Sequence, residues 1–135
     1  MGQTRTVSVR WRERELFEGA AAERPPILVD GAGAAATSPV ELLLVAAAAC
    51  TATDVVSILA KQRVALTSLE VRVRGTRRDE HPRRYTALHF EFVIAGAGVT
   101  EDKLRRAIDL SLGKYCSVVA SLAPDIVVGY ELVPR

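Results

Sequence analysis

Apolar and polar residues alternate from the seventh position onward. Val7, Val9 and Trp11 share one parity and Ser8, Arg10 and Arg12 the other, which predicts a half-buried strand. Leu16-Phe17 and Ile27-Leu28-Val29 predict two further short strands, with loops at Arg24-Pro25-Pro26 and Gly31-Ala32-Gly33. The pattern then changes. Ser38 suits a helix N-cap, Pro39 the first helical position, and Glu41 completes a capping box ahead of an apolar run that reaches about Lys61. Residues 42–50 are apolar on every side, so at least the first half of this helix is expected to be surrounded by protein, as the central helix of the domain.

Alternation returns after the helix. Leu69, Val71 and Val73 interleave with Glu70, Arg72 and Arg74, and Leu88, Phe90, Phe92 and Ile94 with Ala87, His89, Glu91 and Val93, giving two strands joined by a charged loop. Thr100 can cap the next helix, and Glu101 and Asp102 favour its positive end. Leu104, Ala107, Ile108 and Ser111 mark one face of that helix, which Gly113 is expected to stop. A short helical turn follows Cys116, and a strand from Ile126 to Val133 ends the series. The predicted class is α+β, a mostly antiparallel sheet around a long central helix, in one domain over residues 1–135.

Charge narrows the partners. Eighteen basic residues against sixteen acids leave a net charge of +2, too small for the whole-molecule field to demand nucleic acid or an anionic membrane. Arg72, Arg74, Arg77, Arg78, Arg83 and Arg84 cluster, but Asp79 and Glu80 interrupt them and aromatic residues are few, so a solvated face is expected. No leader-like opening and no uninterrupted apolar run of about 20 residues is apparent, so the expectation is a soluble cytoplasmic protein without a membrane partner. Two distant histidines offer no metal-ligand spacing, and no cofactor is expected. His89 and Glu91 share the outward parity of their strand and can pair there.

The chemistry rests on the two cysteines. Cys50 closes the run LLLVAAAAC where apolar residues give way to Thr51, Thr53 and Asp54, and Cys116 sits in KYCSV. In a reducing compartment a permanent disulfide between them is not expected, and a redox pair is the first reading to test. A reactive thiol needs help to ionise. Cys116 has Lys114 two residues before it, Ser117 after it and the start of a short helix around it, whereas Cys50 lies mid-helix with Asp54 one turn on, a carboxylate that would raise its pKa if close. Thr51 or Thr53 can donate a hydrogen bond to it, and Tyr115 is expected to pack beside the site.

The run SPVELLLVAAAAC, the following TATDVVSILAKQR, and KYCSV ahead of a terminal strand resemble the OsmC/Ohr superfamily of osmotically inducible and organic-hydroperoxide-resistance proteins. The resemblance implies an intertwined homodimer whose curved sheets wrap the central helices. It also implies a peroxide-attacking Cys50 resolved by Cys116 as a disulfide, with a small hydroperoxide as substrate and a dithiol as reductant. Two features depart from the hydroperoxide-reducing branch. There the helix opens with asparagine, proline and at once glutamate, whereas here Val40 separates Pro39 from Glu41. Glu41 thus precedes Cys50 by nine residues, about 13.5 Å along the axis and close to the opposite face. That branch also follows its second cysteine with proline, where this chain has Ser117. KYCSV looks more like a less characterised subgroup, and an OsmC-like ligand-binding or stress-response module without efficient peroxidase turnover is the alternative reading.

Overall fold

The computed structural model describes residues 2–133, which divide into two compact units between Leu43 and Leu44. In the first unit β1 (Val7–Glu13), β2 (Leu16–Ala21) and β3 (Ile27–Asp30) form an antiparallel meander, with Trp11 opposite Phe17 and Phe17 opposite Val29. The predicted strands are present. Their burial is not as expected, since every residue of β1 is exposed, Trp11 at 64%. Alternation marks which residues share a face, but another surface must be present to cover that face.

Asp30 ends β3 and organises the loop after it. Its carboxylate accepts the amides of Ala35 (2.8 Å), Ala32 (2.9 Å) and Ala34 (3.2 Å), and these N–H groups hold it below the usual carboxylate range. Gly33 sits at φ 68°, a conformation a side chain would oppose.

The long helix is α1 (Pro39–Lys61). Its capping box is formed as predicted. Glu41 Oε1 accepts from the Ser38 amide (3.0 Å) and hydroxyl (2.8 Å), while the Glu41 amide donates to Ser38 Oγ at 3.3 Å. Those bonds from Ser38 lower the Glu41 pKa and commit its carboxylate to the helix end. Burial is again narrower than predicted. Ala47, Thr51, Val55 and Leu59 form one fully covered stripe at a spacing of four, while Leu43, Val45 and Val56 stay exposed. One chain covers one side of this helix. By length and composition alone α1 would also suffice to cross a membrane, with a mean hydropathy of 2.1 over its most apolar stretch. Thr51, Thr53 and Asp54 interrupt the apolar run without lowering its average hydropathy much.

In the second unit β4 (Ala65–Arg77) and β5 (Tyr85–Ala97) make a long antiparallel hairpin that pairs Val71 with Phe92 and Val73 with Phe90. β6 (Val127–Leu132) lies parallel to β5, with Phe90 beside Tyr130. The strands thus form two three-stranded sheets. Leu88, Phe90 and Phe92 supply the most deeply buried side chains of β5, as their parity predicts. Gly75 lets α1 and the hairpin approach: a Cβ there would lie 2.5 Å from the Tyr85 ring and 2.9 Å from Leu44 Cδ2.

α2 (Glu101–Leu110) starts at Thr100, whose hydroxyl accepts the Lys103 amide at 3.2 Å, and it buries Leu104, Ala107 and Ile108. Gly113 does not stop it. The helix widens instead into a π-turn, Ser111–Tyr115, in which the Cys116 amide reaches the Ser111 carbonyl at 2.7 Å. Ser111 is fully buried and hydrogen-bonded to α1, so the extra residue is absorbed as a bulge after it, the kind of irregularity often found at functional sites. α3 (Ser117–Ala120) then begins with Cys116 at its N-cap position.

Candidate thiol site

Two successive turns of α1 hold the segment that carries Cys116. Thr51 Oγ1 donates to Cys116 Sγ at 3.4 Å, and Asp54 Oδ2 accepts the Ser111 hydroxyl at 2.8 Å. Thr51 and Ser111 are wholly buried and Cys116 is only 3% exposed. Cys50, next to Thr51, is half-buried and near enough to Cys116 to raise its pKa. Both thiols are free. The fold therefore brings together the two cysteines that the sequence singled out.

The local expectation for Cys116 is reversed. Burial pushes its pKa up, and the neighbouring Cys50 pushes the same way, while the Thr51 hydroxyl and the Val119 amide at the start of α3 pull it down. Lys114 does not reach the sulfur: its Nζ sits 5.3 Å from the centroid of the exposed Tyr115 ring. Ser117 is exposed, and its carbonyl accepts from the Ser121 hydroxyl at 2.7 Å.

The other candidates are also otherwise engaged. Thr53 Oγ1 donates to the Ala49 carbonyl one turn back at 2.7 Å. Asp54 serves Ser111, and Glu41 serves the helix cap. Sequence reasoning named Thr51 only as a donor to Cys50 and did not foresee Ser111. Its signal for Ser111 was the shared face with Leu104, Ala107 and Ile108, a polar residue on an otherwise apolar stripe.

Thr51 gives a direct test. In a Cys50→Ala background, Thr51→Val is expected to move the pH midpoint of Cys116 alkylation further up, because a donor to the thiolate is lost while burial stays. Thr51→Ser should stay near the parent. An unchanged midpoint in Thr51→Val would show that the hydroxyl does not serve the sulfur.

A second cluster lies on the sheet. His89 Nε2 is 2.9 Å from Glu131 Oε1 across β5 and β6, so His89 makes a cross-strand pair rather than the same-strand one that its parity with Glu91 allowed. Glu91 instead meets Arg74 at 3.5 Å and Arg72 at 3.7 Å. Ligand atoms of His89, Glu91 and Glu131 lie within 4.8 Å of one another, a donor set able to hold a divalent cation. The two arginines already answer the Glu91 charge. Arg77 and Arg84 bond the Arg83 carbonyl and Asp125, both at 2.6 Å, and Arg78 bonds the Pro82 carbonyl at 2.7 Å. A solvated face is what the run forms.

A helix-borne cysteine facing a second on a turn, within an α+β fold of this order, defines an OsmC-type protein. Residues 31–131 match the family model described as OsmC-like protein, and the chain belongs to that family. It is 42% identical over 128 residues to Protein YhfA of Escherichia coli (strain K12), covering 93% of this chain and 96% of that one. A hypothetical protein from Aquifex aeolicus VF5 superposes with a TM-score of 0.86 at 27% identity, over 99% of each chain. The organic hydroperoxide resistance protein OhrB of Bacillus subtilis shares the fold at a TM-score of 0.63 and 16% identity, over 97% of this chain and 98% of that one.

Proposed function

We propose that the chain reduces small organic hydroperoxides with Cys50 as the attacking thiol and Cys116 as the resolving one. The observation that carries this reading is the placement of the Cys116 sulfur against Thr51, beside Cys50 on the same helix. Access and ionisation assign the roles. Cys50 is half-buried and can meet substrate, whereas Cys116 is enclosed and its burial disfavours the thiolate. In the first step the Cys50 thiolate attacks the terminal peroxide oxygen. The O–O bond breaks, the alcohol leaves with a proton, and Cys50 becomes a sulfenic acid. Cys116 then attacks that sulfur, forming the disulfide and releasing water, and an external thiol restores both cysteines. The two thiols supply both electrons, so the proposal requires neither metal nor flavin.

Stopped-flow mixing with cumene hydroperoxide, tert-butyl hydroperoxide and hydrogen peroxide in the presence of a dithiol tests this. The organic peroxides are expected to be consumed about tenfold or more faster than free cysteine consumes them, a gain of ~1.4 kcal/mol or more. A rate no better than free cysteine would favour the second reading, an OsmC-like binding or stress-response module. The observation on its side is that, among the described residues, no lysine or arginine bonds either thiol.

The assembly belongs to the same proposal. Val7, Val9 and Trp11 on β1 and Leu43, Val45 and Val56 on α1 are apolar and exposed in the single chain, and a two-fold homodimer would cover them. Sedimentation at micromolar concentration is expected to give a dimer. A stable monomer would overturn the intertwined arrangement.

A further inference from the structure

Ser111 places a hydroxyl on an apolar stripe. It continues the face formed by Leu104, Ala107 and Ile108 and is wholly buried, a position that an alanine such as Ala107 would fill with no polar group to satisfy. Its partner lies on α1. The hydroxyl donates to Asp54 Oδ2 at 2.8 Å, one turn beyond Cys50.

The π-turn is thus tied to α1 at both ends. Thr51 meets the Cys116 sulfur at 3.4 Å and Asp54 meets Ser111, from positions three residues apart on one side of the helix. Within the turn the Cys116 amide closes on the Ser111 carbonyl at 2.7 Å, so the two anchored residues are also bonded to each other. Between them Gly113, Lys114 and Tyr115 are exposed, and a Cβ on Gly113 would meet nothing within 4 Å. Little packing holds the turn between its ends, which leaves the anchors to fix where Cys116 sits. The two anchors differ in one respect. The Cys116 sulfur is a reacting atom, so its contact with Thr51 must change when a bond to Cys50 forms. The bond from Ser111 to Asp54 contains no reacting atom and can persist through that step.

We propose that Ser111 and Asp54 are positioning residues for the resolving step, a pivot on which the π-turn carries Cys116 to the Cys50 sulfur. The inference rests on the redox reading of the two cysteines. An attack within one site is fast only while the sulfur is held in line with the bond it breaks, and a displacement of about 1 Å can cost on the order of a hundredfold. Loss of the pivot slows closure of the disulfide and spares the first reaction of Cys50.

The test uses dithiodipyridine, which reads the two thiols in turn without peroxide. The Cys50 thiolate cleaves the reagent's S–S bond, keeps one pyridylthio group and releases one thiopyridone. Cys116 then attacks the Cys50 sulfur and expels a second thiopyridone, which takes up the Cys116 proton. Two thiols become one disulfide and the reagent is reduced. The wild type is expected to show a second phase whose rate is independent of reagent concentration. Ser111→Ala should slow that phase about tenfold or more and leave the first unchanged. Asp54→Ala should slow it equally, and the double variant no further, because the same bond is lost in all three. Asp54→Asn keeps an acceptor oxygen and should stay near the wild type, a rescue that general loosening of the fold would not give. Should Ser111→Ala fail to fold, the two Asp54 variants decide alone, since that side chain is only half-buried.

An unchanged second phase in Ser111→Ala or Asp54→Ala overturns the pivot, as does equal slowing of both phases. Release of a single thiopyridone by the wild type overturns the resolving role of Cys116 along with it. A second phase that depends on Asp54, in a protein no faster toward cumene hydroperoxide than free cysteine, leaves the pivot standing and overturns the peroxide reading instead.

Discussion

If the proposed peroxide chemistry holds, Cys50→Ser is expected to lower hydroperoxide turnover by roughly a thousandfold or more, because the thiol proposed to break the O–O bond is gone and an enclosed Cys116 cannot replace it. Cys116→Ser should behave differently. Cys50 should still react with one equivalent of peroxide and stop at a sulfenic acid, trappable by dimedone, or at a disulfide between chains. The wild type should lose two free thiols under the same pulse and form a bond within the chain. The asymmetry follows from the site: Cys50 is half-buried, whereas Cys116 is 3% exposed with its pKa raised first by burial. Equal and slow oxidation of both thiols would mean that the site lacks a peroxidatic cysteine. Loss of the first reaction in Cys116→Ser, with Cys50→Ser still reactive, would reverse the roles.

Phe90→Ala is expected to cost about 3–5 kcal/mol, a large part of the roughly 5–15 kcal/mol that holds a typical domain together. Phe90 is wholly buried on the middle strand of its sheet. Its ring is 6.1 Å from that of Phe92 and stacked with it, and Phe92 in turn meets Tyr130 edge-on at 6.0 Å. Truncation leaves a cavity that neighbours fixed by strands on both sides cannot readily fill. Urea unfolding at fixed protein concentration measures the effect, the fixed concentration guarding against any contribution from association. A loss below about 1 kcal/mol would mean that the sheet does not hold this ring as described.

Local patterns carried much of the fold because their causes are local. The Ser38–Glu41 capping box, the Thr100 cap and the alternation of Leu88, Phe90 and Phe92 each depend on residues within a few positions of one another, and each is formed. The OsmC resemblance read from SPVELLLVAAAAC and KYCSV was legible for the same reason, and the family match bears it out. Local reading also had limits. It made Gly113 a stop, but the bond from Ser111 to Asp54 on α1 lets the helix run on as a π-turn. It favoured Cys116 as the acidic thiol on account of Lys114, Ser117 and the start of a short helix, but burial raises that thiol's pKa and Lys114 turns to the Tyr115 ring.

The sequence by itself determined the order of elements, the caps, the faces of the strands and the two residues capable of thiol chemistry. Tertiary structure decided what those residues meet. Thr51 reaches a sulfur 65 positions away, and His89 finds Glu131 42 positions away because β6 lies parallel to β5. Exposure was decided at that level too, since Val7, Val9 and Trp11 of β1 and Leu43, Val45 and Val56 of α1 stay exposed although all are apolar. Caps and alternation arise from backbone geometry over a few residues, whereas a thiol's pKa depends on burial and on donors brought in from distant elements.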